Sequence, residues 1–220
     1  MKCWKIGENL EMQIKEYLIK NLKWIILFVC LIGFLALAED VFNKEIMIGD
    51  IVGYKVISIL LISDFATPIA KFITNLGGAI FLIVLTVLLF ILIKNKKIGA
   101  SILGNLVIVT ALNQLLKFIL HRPRPTEYRI IEAIGYSFPS GHSMVSMAFY
   151  GYLMHLTYKY IKNKYLKWTI IIILSLLICL IGISRIYLGV HYTSDVLGGF
   201  LISISYLVIY ISAVNKFFKV

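Results

Sequence analysis

The sequence predicts an all-α membrane protein with six transmembrane helices, an N-terminal amphipathic helix and an interfacial segment between spans one and two. Three observations predict it. Of 220 residues, 60% are hydrophobic and only 15% are charged, against about 45–50% and about 25% in soluble domains. The mean hydropathy is +0.90. The apolar residues gather into runs close to the ~20 residues that a helix needs to cross about 30 Å of hydrocarbon. Together these exclude a disordered chain, a coiled coil and an ordinary soluble enzyme. Residues 1–220 read as a single integral-membrane domain, with no internal repeat or low-complexity tract.

Each element follows from its local pattern. Residues 1–20 carry Leu10, Ile14 and Leu18 at i, i+4 and i+8 among Glu11, Lys15 and Glu16, the stripe of an amphipathic helix lying on a membrane surface. The first apolar run, 24–38, ends in Ala36-Leu37-Ala38, which resembles a signal-peptidase site. The 23 residues before it are long for a leader, so the run is expected to be span one. Residues 46–72 are apolar but interrupted by Gly53, Lys55, Asp64 and Pro68, and read as an interfacial helix. Spans two to six are expected at 73–93, 98–120, 141–158, 168–187 and 194–214.

Lysines set the orientation. With both termini cytoplasmic, the inner side holds 14 of the 22 Lys and Arg and three of the 11 Asp and Glu. The whole net charge of +11 then falls on one side, as the positive-inside rule expects. That placement accounts for the basic balance without a nucleic-acid partner, and no protein partner is expected. Cys3, Cys30 and Cys179 are isolated and have no metal-site spacing. Glu39, Asp40, Glu45 and Asp50 fit no compact ligand set and are expected in a solvated outer segment.

Charges in or beside spans are costly and call for a reason. Three groups stand out. One is Lys117 through Pro125, reading Lys-Phe-Ile-Leu-His-Arg-Pro-Arg-Pro, at the end of span three. Another is Phe138-Pro139-Ser140-Gly141-His142-Ser143, opening span four. The third runs from Ser184 and Arg185 to His191 and Asp195, joining spans five and six. The alternation of spans brings all three to the extracytoplasmic face. Lys117, Arg124 and Arg185 are cations, and arginine offers a planar fork that matches phosphate. Ser140 and Gly141 open a helix whose free N–H groups favour an anion. His191 and Asp195 are four residues apart and share a helical face. The carboxylate can hold one imidazole nitrogen and leave the other nucleophilic, while His142, on another helix, is free to act as an acid. Two histidines, one carboxylate and three cations suit phosphoryl transfer through a phosphohistidine.

These groups resemble the signature of the type 2 phosphatidic acid phosphatases, relatives of the vanadium haloperoxidases. That signature is K-x6-R-P, P-S-G-H and S-R-x5-H-x3-D, and it reads here without departure from Lys117 to Asp195, within a matching core of about 117–199. The resemblance implies hydrolysis of phosphate esters or diphosphates without a metal or other cofactor. It implies His191 as nucleophile, Asp195 as its orienter and His142 as general acid. The phosphate would be held by Lys117, Arg124, Ser140, Gly141 and Arg185. By resemblance the leading substrates are undecaprenyl diphosphate and phosphatidylglycerol phosphate. A phosphotransferase using the same phosphohistidine and a non-catalytic lipid-binding or transport protein are the alternatives.

Other residues receive plainer expectations. His121 and Arg122 are placed in the headgroup layer, although with Arg129 they could meet the second phosphate of a diphosphate. Tyr128, Arg129 and Glu132 could reach a headgroup. The 13 residues 126–138 are expected to be too few to build a deep pocket for a large soluble headgroup. Asn113 and Gln114 are expected to hydrogen-bond between helices, His155 to pack within its helix, and the Gly77-Gly78 and Gly198-Gly199 pairs to permit close helix packing.

Overall fold

The computed structural model describes residues 2–45, 47–127 and 129–217, with side chains from Lys20 onward. All regular structure among them is helical: α1 (Lys2–Phe42), α2 (Ile48–Leu61), α3 (Ala66–Asn75), α4 (Ala79–Leu92), α5 (Lys96–Leu120), α6 (Gly141–Tyr160), α7 (Lys164–Tyr187) and α8 (Thr193–Phe217). The expected amphipathic segment and first span are one continuous helix. Its proposed stripe of Leu10, Ile14 and Leu18 lies outside the described side chains, as does Tyr128.

Polar caps set several of the helix starts. The side chains of Asn95, Ser140 and Asn163 accept the N–H groups of Lys97, Ser143 and Leu166 at the starts of α5, α6 and α7, satisfying donors a helix start leaves free. At the other end of α5, His121 takes the left-handed conformation, φ 46°, and its N–H returns to the Lys117 carbonyl. The chain turns there into the segment that carries Arg122 and Arg124.

α6 lies among α5, α7 and α8, while α1 packs on α8 and α4 on α5. Its side chains Met144, Phe149 and Tyr152 meet Val109 and Ile102 of α5 and Ile181 of α7 in the main core. Among the described residues, four helices are long and apolar enough to cross a membrane: Lys20–Phe42 of α1, then α5, α7 and α8. α3 and α4 qualify together, bent by 49° at their junction. α6 does not, because its Ser, Gly, His and Tyr residues lower its hydropathy; of these, Ser143, Ser146, Tyr150 and Tyr152 are buried within the bundle.

The region before α5 differs from expectation. The interfacial segment is two helices, and the second, α3, runs into the predicted second span, which breaks at Leu76–Gly78. Pro68 stands in the first turn of α3, where its missing N–H has no intrahelical partner to lose. The break has a packing cause: a Cβ on Gly77 would stand 2.6 Å from Ser146 Oγ and 2.7 Å from Ile181 Cγ2. The glycine lets the junction seat on α6 and α7. His155 stacks on Tyr152, with ring centroids 6.2 Å apart.

Gly198 plays a similar part beside the signature. A Cβ there would lie 2.7 Å from the ring of Phe138, which is wholly buried two residues before Ser140. Gly198→Ala is therefore expected to destabilise the protein by about 1–3 kcal/mol, the usual cost of overpacking, measured as a lowered Tm in detergent.

Candidate active site

The three signature groups meet where α5 ends and α6 and α8 begin. Asp195, in the first turn of α8, has 0% exposure. Its Oδ2 accepts from the Tyr192 N–H at 2.9 Å and pairs with His191 Nδ1 at 3.1 Å. Its Oδ1 accepts from Arg122 at 2.7 Å and from the Ser137 hydroxyl at 3.5 Å. The other ring nitrogen, His191 Nε2, lies 3.0 Å from an Arg124 guanidinium nitrogen. A guanidinium only donates, so Nε2 is the acceptor and the proton sits on Nδ1, toward Asp195. Burial pushes the His191 pKa down to about 4; the hydrogen bond and charge of Asp195 oppose the shift, and Arg185 and Arg124 add to it. The ring is neutral, and its unprotonated Nε2 faces the Arg124 guanidinium.

Three cations share a cavity with that ring. Arg124 is held by carbonyls, donating to Gly135 at 3.0 Å, Val190 at 2.9 Å and Ile134 at 3.1 Å. Lys117 donates to the carbonyls of Tyr136 and Ser137. Arg185, almost fully buried, donates to Thr74 Oγ1 at 2.7 Å, and its Nε has no partner. Among the described residues no carboxylate forms an ion pair with any of the three. All three, with Gly141, His142 and His191, line one cavity of about 780 Å³. Positive groups held without a counter-charge beside the start of α6 make a site for an anion. Among the described residues, no group of three or more His, Cys, Asp or Glu is arranged to hold a metal ion.

The structure corrects several expectations. Ser140 is not at the cavity wall. It is wholly buried, its N–H donates to the Asp195 carbonyl at 3.0 Å, and its hydroxyl caps α6 and meets Ser143 Oγ at 3.0 Å. Helix caps and anion ligands use the same residue types at the same place, so the motif alone cannot separate them. Asn113 bonds across helices, donating to the Pro139 carbonyl at 3.2 Å, whereas Gln114 is exposed along the cavity wall. The short 126–138 connection does supply one wall of this cavity, from Ile131 to Tyr136. The cations suggested for a second phosphate are elsewhere. Arg129 donates to the Pro125 carbonyl, and His121 and Arg122 border a different cavity of about 1220 Å³. Glu132 lines the cationic cavity instead.

Two polar residues are more deeply engaged than expected. Arg122 is not loose in a headgroup layer, and Asp50 is not solvated: they pair at 2.7 Å with side chains only 11% and 6% exposed. Burial disfavours the Arg122 charge, but Asp195 and Asp50 outweigh it and raise its pKa above the ordinary value. The Arg-Pro-Arg-Pro run was the available signal for Arg122. Asp50 had none, since its partners lie 72 and 144 residues away. Thr74, the partner of Arg185, was likewise invisible, 111 residues distant.

The family model described as PAP2 superfamily matches residues 98–219, more than half of the chain and all three groups of the site. The chain belongs to the PAP2 superfamily. It is a multi-pass membrane phosphatase of the bacterial branch. It is 33% identical to phosphatidylglycerophosphatase B of Bacillus subtilis (strain 168) over 172 residues, 76% of this chain and 84% of that protein. It is 28% identical to an undecaprenyl-diphosphatase of Sulfolobus acidocaldarius over 157 residues, 68% of this chain and 72% of that protein. The crystal structure of the PAP2-type phosphatidylglycerolphosphate phosphatase from Bacillus subtilis superposes with a TM-score of 0.78 at 28% identity, covering 87% of this chain and 96% of that one. Family membership removes the non-catalytic alternative.

A pH titration checks the electrostatics of this PAP2 site. In ¹⁵N-histidine-labelled protein, the His191 ring signals, identified by their loss in His191→Asn, are expected to keep the neutral, Nδ1-protonated pattern until about pH 4. Protonation near the ordinary value of about 6.5 would contradict the buried environment described here.

Proposed function

We propose that the protein hydrolyses lipid phosphates at the extracytoplasmic membrane face through a phosphohistidine. The observation that carries this reading is the cavity that Lys117, Arg124 and Arg185, none paired with a carboxylate, line together with His191, whose Nε2 lies 3.0 Å from Arg124. His191 Nε2 attacks phosphorus as the P–O bond to the lipid breaks, and His142 gives its proton to the departing oxygen. The three cations and the Gly141 N–H hold the equatorial oxygens, where charge must be stabilised in such a transfer. Asp195 keeps the Nδ1 proton in place and stabilises the positive charge that grows on the ring. Water then attacks the phosphohistidine, His142 takes its proton, and His191 is restored. The role first given to Ser140 becomes structural: it shapes the start of α6.

Geometry and relatives together favour a phosphate monoester such as phosphatidylglycerol phosphate. Glu132, not an extra cation, lines the cavity beside the phosphate site, which weakens the charge argument for a diphosphate. Undecaprenyl diphosphate remains the second reading, supported by the Sulfolobus relative. The test measures kcat/KM for phosphatidylglycerol phosphate, undecaprenyl diphosphate, phosphatidic acid and glucose 6-phosphate in one detergent system. Phosphatidylglycerol phosphate is expected to lead and the soluble sugar to trail; preference for the sugar would reject a lipid substrate. His191→Ala should lose more than about 10³-fold in kcat, and activity should survive EDTA. Near wild-type turnover in that variant would refute the phosphohistidine.

The same proposal has six crossings: α1, the bent α3–α4 pair, α5, α6, α7 and α8, with both termini cytoplasmic. The lysine bias supports it. In a background lacking the three native cysteines, Arg129→Cys should react with an impermeant thiol reagent in intact cells and Asn163→Cys should not. The opposite labelling pattern would put the site on the cytoplasmic face.

A further inference from the structure

The His191–Asp195 pair does not end at Asp195. Arg122 donates one guanidinium nitrogen to Asp195 Oδ1 and the other to Asp50 Oδ2, both at 2.7 Å. Asp50 belongs to α2, and its second oxygen accepts the Ser194 N–H at 2.7 Å, at the very start of α8. The Ser194 hydroxyl closes the arrangement, 2.7 Å from Arg122 and donating to Asp50 at 2.8 Å. The flat face of Arg122 lies over Tyr192, 4.1 Å from the ring centroid. The guanidinium is thus fixed in position and in plane.

The order of charges matters to the chemistry. Arg122 and His191 bind different oxygens of one carboxylate, so they compete for its charge. With Asp50 absent, the whole charge of Arg122 would bear on Asp195 and weaken what that carboxylate offers the ring as positive charge grows there. With Asp50 present, Arg122 is neutralised from its other side and serves to aim Asp195. We propose that Asp50 and Arg122 are positioning residues for catalysis, forming with Asp195 and His191 a buried chain of alternating acidic and basic groups. The proposal rests on the reading of His191 as nucleophile.

The test compares Asp50→Asn, Arg122→Gln, Arg122→Lys and the double variant Asp50→Asn/Arg122→Gln in intact detergent-purified protein, with phosphatidylglycerol phosphate and undecaprenyl diphosphate as substrates. Each of the two neutralising single changes is expected to lower kcat by about 10- to 100-fold, the scale of a misaligned catalytic group, with KM within about twofold because neither residue lines the phosphate cavity. Arg122→Lys should recover part of the loss, since it keeps the charge. Because the two residues act as one unit, the double variant should be no worse than the poorer single. Wild-type kcat in both single variants, an effect confined to KM, or losses that multiply in the double would each overturn the proposal. Should a single variant fail to fold, the uncharged double variant decides: kcat about 10-fold down at unchanged KM supports the proposal, and wild-type kcat overturns it. His191→Ala, measured alongside, separates the two levels. Activity retained there rejects the nucleophile itself, whereas its loss beside a wild-type Asp50→Asn rejects only the positioning chain.

Discussion

A carboxylate removed from water must be satisfied by protein donors, or it will not remain ionised. Asp195 meets that demand with groups drawn from distant parts of the chain. Arg122 comes from the segment after α5, Ser137 from the approach to α6, and His191 and Tyr192 from the turn before α8. Its own carbonyl accepts from Ser140 at the start of α6. Fixing this one side chain therefore fixes the relative placement of α5, α6 and α8 at one end of the bundle. The same contacts set the tautomer of His191.

The cations beside His191 obey the opposite logic. Arg185 sits with a bare Nε, and Lys117 and Arg124 are met by carbonyls rather than carboxylates. Carbonyl dipoles hold a cation in place without cancelling its charge, so the field remains available to an incoming anion. Within one site, then, a negative group is fully matched and three positive groups are left unmatched. That asymmetry separates a charge matched within the protein from charges left open to an incoming anion.

Much of this was legible in the sequence, and the rest was hidden for identifiable reasons. α5, α7 and α8 fall within a few residues of the spans expected at 98–120, 168–187 and 194–214, because charged or capping residues bound long apolar runs. Lys117, Arg124, His142, Arg185 and His191 were expected together from their places at helix ends, and they do line one cavity. The break at Gly77 was illegible because its cause is the approach of Ser146 and Ile181, far along the chain. Asp50 looked like any outer acid, since nothing near it in sequence reveals that α2 docks on α8. The closeness of that docking is visible only in three dimensions: a Cβ on Gly53 would lie 2.1 Å from Thr193 Oγ1.

The composition of α6 has a consequence for biogenesis. This helix carries His142 together with Ser143, Ser146, Tyr150 and Tyr152, which are buried where α6 packs on α5, α7 and α8. A segment of that kind gains little by partitioning alone into hydrocarbon, where each unmatched polar group is penalised. α5 before it and α7 after it are apolar enough to settle on their own. In the proposed six-crossing arrangement, the part of the chain that bears His142 is thus the part most dependent on its neighbours for entry into the bilayer. Assembly of the bundle and assembly of the active site become one event.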